Sequence, residues 1–140
     1  MTRADDLSPA ERRGLRVAVL ELKARSPRGR FAIRVGAGVP GGPAHWFEIA
    51  GDDALDHALR VEVAGALVHR IRPRAPSPWL WITRPGPLWV VDADLAWSAA
   101  ARTALAEADL TSRFVVVTRH GWHEPTTGHG QAWHRLRQRT

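Results

Sequence analysis

The feature that most constrains the fold is a continuous apolar run, Phe114 to Val117, which follows a long alanine-rich segment. Asp92 and Asp94 stand at the start of that segment, where carboxylates accept backbone N–H bonds and oppose the helix dipole. The segment is therefore predicted to be a helix that ends near Ala108. A strand without polar alternation is covered on both faces, as in a parallel sheet. We expect a strand, helix and parallel strand unit whose first strand is Leu88 to Val91.

The rest of the chain alternates helices and hairpins. Ser8 to Glu11 is a capping box, which opens a helix to about Ala24. A second helix is predicted from Asp52 or Asp53 as its cap to Arg72, with apolar residues at helical spacing. The expected hairpins pair Phe31 to Val35 with His45 to Ile49, and Trp79 to Ile82 with Leu88 to Val91.

These elements predict one domain, residues 1–140, of the α+β or α/β class. Its sheet is mixed and five-stranded, its main helices number three, and its order is α-ββ-α-ββ-α-β plus a short C-terminal segment. The tail from Gln131 to Arg139 can form a last short helix. In the third helix, Leu95, Ala99 and Leu105 are expected to face the core.

Composition excludes several classes of protein. The 140 residues include no cysteine, which rules out disulfides, thiolate zinc sites and a cysteine nucleophile. The N-terminus lacks an export signal, and no apolar stretch approaches the roughly 20 residues that a membrane helix needs. We expect a cytoplasmic protein that does not enter a membrane.

The formal charge of +6 suggests a polyanionic partner such as nucleic acid. However, 19 of the 20 basic residues are arginine, as in proteins from GC-rich bacterial genomes, so arginine carries less information than usual. The cluster Arg135, Arg137 and Arg139 lies beside Trp133, a combination suited to phosphate contact and base stacking. These three arginines are the candidate nucleic-acid contacts, and a solvated basic tail is the alternative.

Four of the seven histidines lie between His120 and His134, directly after the last predicted strand. Loops at the ends of strands often carry binding and catalytic side chains, because the sheet holds them in place. The irregular spacing matches no helical metal motif, so no metal site is predicted. Acid–base chemistry would pair His120 or His123 with Asp92 or Asp94, although capping alone explains both aspartates.

Tracing the chain back and forth predicts a composite edge of the sheet. It would gather the glycine loop from Gly36 to Pro43, the cluster from Arg70 to Arg74, the Asp92 helix start and the histidine segment. The cluster of Arg25, Arg28 and Arg30 would lie at the opposite edge. The candidate ligand-binding residues are accordingly His45, Arg72, Asp92, His120, His123 and Glu124.

The segment Gly36 to Gly41 matches GxGxxG, but it does not predict a nucleotide site. Pro40 and Pro43 each remove a backbone N–H that a phosphate would need, and the following segment looks extended rather than helical. We interpret it as a flexible hairpin tip.

The chain is rich in tryptophan, and Trp79 and Trp81 point to one face of their strand. Together with Trp89 they mark a surface through which we expect a homodimer to form. No catalytic motif is present, which favours a non-enzymatic binding or regulatory domain that contacts nucleic acid or another acidic partner. The alternative is a small enzyme or small-molecule-binding protein that uses the histidine edge, and the sequence identifies no cofactor.

Overall fold

The computed structural model describes residues 7–51 and 55–133, in which three helices flank one mixed sheet of six strands. The order of the strands across the sheet is β2-β1-β3-β4-β5-β6. The predicted fold class is confirmed, with six strands instead of five. The elements are α1 (Pro9–Arg25), β1 (Arg34–Gly38), β2 (Ala44–Glu48), α2 (His57–Ile71), β3 (Trp79–Thr83), α3 (Asp92–Glu107), β4 (Phe114–Thr118), β5 (Gly121–His123) and β6 (Gly130–Ala132).

The predicted parallel unit is present, but its first strand is β3. Strands β3 and β4 pair in parallel, with Leu80 opposite Phe114, and α3 connects them. The expected strand from Leu88 to Val91 is wrong, because this segment forms no strand. The Arg84 guanidinium binds the carbonyl oxygens of Pro85, Pro87 and Trp89, so the backbone wraps around that side chain and cannot pair with β3.

The first hairpin is formed as expected, with β1 beginning three residues later than predicted. Gly36 and Gly38 belong to β1 itself, and the turn is formed by the following residues up to Pro43. A Cβ at Gly36 would lie 2.8 Å from the Trp46 ring and 3.0 Å from the Trp81 ring. The glycine therefore makes room for two tryptophans on the neighbouring strands.

Capping fixes the starts of the first two helices. In α1 the Ser8 hydroxyl accepts from the Glu11 backbone N–H while the Glu11 carboxylate accepts from the Ser8 N–H, which confirms the predicted capping box. In α2 the cap is Asp56, whose carboxylate accepts from the Leu59 N–H at 2.8 Å. The predicted caps Asp52 and Asp53 lie outside the described residues.

The sheet has an apolar core on each face. Helices α2 and α3 cover one face, and α1 covers the other. In α3 the prediction for Leu95 is wrong, since it is 48% exposed while Asp94 and Trp97 point inward. The ion pair between Asp94 and Arg84 orients the helix so that Leu95 faces solvent. The helix face toward the sheet carries Asp94, Trp97, Ser98 and Ala101.

The C-terminal histidine segment forms a hairpin of β5 and β6, whereas the sequence predicted an irregular loop. Gly121 begins β5 with φ +153°, and a side chain there would collide with the Gln131 carbonyl. The predicted helix from Gln131 to Arg139 is wrong at its start, because Gln131 lies in β6. Residues 134–140 lie outside the described chain. None of the helices in the described ranges combines the length and the apolar character needed to cross a membrane.

Candidate functional site

The parallel strands β3 and β4 define two edges of the sheet. At their carboxyl ends lie Arg84, the start of α3 and the turn from β4 to β5. Strand β1 runs antiparallel to β3, with Gly38 opposite Trp79, so the glycine turn lies at the amino ends of the parallel strands. The prediction that this turn shares an edge with the histidine segment is therefore wrong.

Two candidate residues are also far from the histidine segment. Arg72 caps the C-terminus of α2 and lines a cavity of about 230 Å³ with Glu107 and Ala108, at the opposite end of α3 from Asp92. His45 lies in the edge strand β2, opposite Ala37. The edge assignment failed because Leu88 to Val91 does not form the expected return strand. The start of α3 and the histidine segment therefore lie at the carboxyl ends of β3 and β4, opposite the glycine turn.

The loop after α1 takes their place at the carboxyl edge. Arg119, beside His120, donates through Nη2 to the Pro27 carbonyl at 2.7 Å. This bond brings the cluster Arg25, Arg28 and Arg30 to the edge that carries the histidine segment, and not to the opposite edge as predicted.

Arg84 and Asp94 form the most buried charged pair at this edge. Their side chains are 4% and 0% exposed. All five N–H donors of the guanidinium have acceptors in the chain, two on Asp94 and three on backbone carbonyls. Because no donor is left for a ligand, the pair is best explained as a structural clamp on the loop between β3 and α3.

His123 extends this network. Its Nε2 lies 3.3 Å from Oδ2 of Asp94, and neither ring nitrogen meets the geometry of a hydrogen bond with any described residue. Burial by itself raises the pKa of Asp94, but interactions with His123, Arg84 and the Val91 N–H hold that pKa at about 2. Asp94 is thus a carboxylate over the whole physiological pH range.

The remaining predicted residues at this edge differ in exposure and in contacts. Glu124 is 8% exposed, and burial raises its pKa, with bonds to Thr127 opposing the shift. His120 is exposed, and its backbone N–H donates to the Thr118 hydroxyl at 3.0 Å. Asp92 is exposed at the first position of α3. In the described part of the chain, no three histidine, aspartate or glutamate side chains are grouped so as to hold a metal ion.

A second cluster, on the α1 face of the sheet, was not predicted. An open basin of about 540 Å³ lies between the end of α1 and the edge strand β2. We call it the Trp46 basin. It is lined by Arg25, Ser26, Phe31, Ala32, Arg34, Trp46 and Glu48.

The register of three strands builds the floor of the Trp46 basin. One row across the sheet places Gly36 between Trp46 and Trp81, and the next row places Arg34 between Glu48 and Thr83. The side chains of these two rows point to the same face, because they are two residues apart along each strand. Trp46 and Trp81 meet edge to face over Gly36, with ring centroids 5.3 Å apart.

Two guanidinium groups lie over the Trp46 ring. The guanidinium carbon of Arg34 is 4.4 Å from the ring centroid and that of Arg25 is 5.8 Å from it. Within residues 7–51 and 55–133, neither arginine has a carboxylate within ion-pair distance. Burial lowers the pKa of Arg34, the charge of Arg25 lowers it further, and Glu48 partly opposes the shift.

The basin continues inward to a small cavity beneath α1. Arg25 and Trp46 line both spaces, and Glu21, Trp81 and Thr83 line the inner one, which has a volume of about 20 Å³. Trp81 Nε1 and Thr83 Oγ1 are buried and have no hydrogen-bond partner in the described chain. Buried polar atoms without partners are uncommon in folded proteins. The two atoms therefore mark this cavity as a place where a bound group could form hydrogen bonds.

Sequence reasoning missed this site because its members come from α1, β1, β2 and β3. The one available signal was the alternation of Arg34 with Gly36, and of Trp46 with Glu48, along two paired strands. The predicted nucleic-acid contacts Arg135, Arg137 and Arg139 lie outside the described residues.

Comparison with known proteins adds no relative, since no protein-family model, curated protein or solved structure matches the chain. Fold and site together define an α+β domain with a basic aromatic basin.

Proposed function

We propose that this protein is a non-enzymatic binding domain for an acidic partner, namely single-stranded nucleic acid, at the Trp46 basin. The observation that carries the proposal is the pair Arg25 and Arg34, two like charges held over one tryptophan with no carboxylate within ion-pair distance among the described residues. Bringing two guanidinium groups together costs free energy through their repulsion. A bound phosphate relieves that repulsion, because each arginine then gains a charge-assisted hydrogen bond.

Charge around the basin supports the same partner. Arg28 and Arg30 are exposed in the loop that follows α1, and Arg119 anchors that loop. Together with the net charge of +6, this rim attracts a phosphate backbone toward the basin. Trp46 is half-buried and supplies the aromatic surface that single-stranded binding sites combine with basic groups.

The carboxylate of Glu48 also lines the basin and repels an anion. Binding therefore depends on both arginines, and loss of either leaves a site whose charges nearly cancel. We further propose that the protein acts in the cytoplasm, where single-stranded RNA is present.

The test is fluorescence anisotropy with a labelled single-stranded oligonucleotide at several salt concentrations. We expect affinity to fall steeply with salt, because released counterions dominate such binding. Arg34→Gln should weaken binding by about tenfold or more, corresponding to a lost charged hydrogen bond. Arg102→Gln, which removes an exposed arginine from α3 on the other face of the sheet, is the matched control and should bind within about twofold of wild type. Absence of binding at low salt would overturn the proposal, as would equal losses in the two variants.

A homodimer remains our proposal for the quaternary structure, but through a smaller surface than the sequence suggested. Trp79 and Trp81 are 6% and 1% exposed in the core beneath α1, so they are not available to a partner. Trp89 is 71% exposed, with Val90 and Leu95 also exposed near it in sequence. The loop that carries Trp89 is held by Arg84, so this tryptophan can bind a partner at little entropic cost.

A further inference from the structure

We infer that the Trp46 basin binds a terminal phosphate, the phosphomonoester at the end of a nucleic-acid strand or on a free nucleotide; this inference rests on the proposed function. Its basis is the inner cavity beneath α1, which Trp81 and Thr83 line together with Arg25.

The inner cavity accommodates one small polar group. Its volume of about 20 Å³ exceeds the roughly 10 to 15 Å³ that a single water-sized group requires. The basin outside it, about 540 Å³, is within the range of small-molecule sites. A ligand of nucleotide size can therefore occupy the basin and place one atom beneath α1.

The chemistry of the inner cavity selects a hydrogen-bond acceptor. Trp81 Nε1 is a donor only, and the Thr83 hydroxyl can donate. Both side chains line the cavity, both polar atoms have no partner among the described residues, and the residues are 1% and 2% exposed. Arg25 lines the same cavity and adds further donors. Glu21 also lines the cavity, and its carboxylate repels an anion. An anion therefore binds there only if several donors hold it.

The number and position of the hydrogen-bond donors favour a phosphomonoester over an internal phosphodiester. A phosphomonoester carries a charge of about −1.5 to −2 at pH 7, whereas a diester carries one negative charge. Glu48 offsets one of the two arginine charges, so the more highly charged phosphate is favoured through the hydrogen-bond donors of both arginines and of the inner cavity. In addition, the inner cavity has room for about one small group. A phosphate at a strand end can place an oxygen there, because no second nucleotide is attached to that phosphate.

The experiment compares oligonucleotides of one sequence that carry a 5′-phosphate, a 3′-phosphate or no terminal phosphate. We expect one phosphorylated form to bind the wild-type protein about tenfold more tightly than the unphosphorylated form, as for a charged hydrogen bond. Thr83→Val should remove most of that difference by weakening the binding of the phosphorylated strand. Thr83→Ser, which keeps the hydroxyl, should restore it. Because valine replaces an unpartnered buried hydroxyl, Thr83→Val should fold with unchanged or higher stability.

The outcomes separate this inference from the proposed function. Equal binding of all three oligonucleotides overturns the inference and leaves the nucleic-acid proposal standing. Direct binding of a labelled mononucleotide without binding of any oligonucleotide supports the inference with a free nucleotide as the source, and overturns the nucleic-acid proposal. If neither an oligonucleotide nor a mononucleotide binds, the inference and the nucleic-acid proposal are both overturned. Binding of inorganic phosphate without binding of any nucleotide also contradicts the inference.

Discussion

Arg84 and Asp94 form a two-bond ion pair inside the domain, with Nε 2.6 Å from Oδ1 and Nη2 2.9 Å from Oδ2. Asp94 belongs to the first turn of α3, and Arg84 directly follows β3. The pair therefore joins the two elements of the parallel unit that the loop between them would otherwise leave loosely connected. The same guanidinium fixes the position of Trp89 through its carbonyl oxygen.

Replacement of Asp94 by asparagine should destabilise the protein by about 3 to 5 kcal/mol, because it leaves the Arg84 charge buried without its counter-ion. Urea unfolding at neutral pH measures the change. Asp92→Asn is the matched control, since Asp92 is exposed in the same helical turn and contributes about 0.3 to 1 kcal/mol at most through the dipole. Similar losses in both variants would show that the ion pair does not hold the fold.

The depressed pKa of Asp94 predicts how stability depends on acidity. Its pKa is about 2 in the folded protein, compared with a reference value of 3.8. The folded state thus binds the proton less readily than the unfolded state, so the stabilising contribution is complete above pH 3.8 and is lost as the pH falls through 2. The contribution is on the order of 2 kcal/mol. Between these pH values, the free energy of unfolding should fall more steeply with decreasing pH in the wild type than in Asp94→Asn. An equal dependence on pH in the two proteins would contradict the low pKa of Asp94.

Gly36→Ala should destabilise the protein by about 1 to 3 kcal/mol, as overpacking does in a dense core. The new methyl group would lie within 3.0 Å of both Trp46 and Trp81 and would force the two rings apart. Thermal unfolding together with near-ultraviolet circular dichroism would detect the loss of stability and of ring contact. Gly65→Ala, at a helical position where the added methyl group would meet no atom beyond the local helix backbone within 4 Å, should instead stabilise α2 by up to about 1 kcal/mol. A Gly36→Ala protein as stable as the wild type would refute the packing of the two rings over this residue.

Trp89→Ser tests the proposed homodimer. Trp89 is 71% exposed, so its loss should change stability by less than about 0.5 kcal/mol. The dissociation constant of the dimer should rise by at least about tenfold, because tryptophans at interfaces are often hot spots. Sedimentation velocity over a range of concentrations measures both proteins. A monomeric wild type, or a variant that dimerises equally well, would contradict the proposal.

The sequence was informative where local chemistry decides the structure. The capping box at Ser8, the apolar strand from Phe114 and the acidic start of α3 were each identified from neighbouring residues, and all three are present. Local reasoning failed at Leu88 to Val91, which has the composition of a strand. A single side chain, Arg84, competes for the backbone carbonyls of that loop, and no pattern of hydrophobicity reveals such a competitor.

The candidate site was less predictable for a related reason. Arg25 and Arg34 lie on different elements, and only the packing of α1 on the sheet brings both to Trp46. Composition even argued against giving weight to single arginines. The glycine motif at Gly36 was correctly separated from nucleotide-binding loops, but its packing role depends on which strands neighbour β1. Pairing register is a tertiary property, so it was not accessible from periodicity alone.

The most direct test of the central claim uses the indole N–H signals of the seven tryptophans in a nitrogen–proton correlation spectrum. Single substitutions assign the signals, and a single-stranded oligonucleotide with a terminal phosphate is then titrated at low salt. The account predicts that the signals of Trp46 and Trp81 shift in a saturable manner, while that of Trp97, buried on the other face of the sheet, does not move. Saturable shifts confined to other tryptophans, or no shifts at all, would contradict binding at the Trp46 basin.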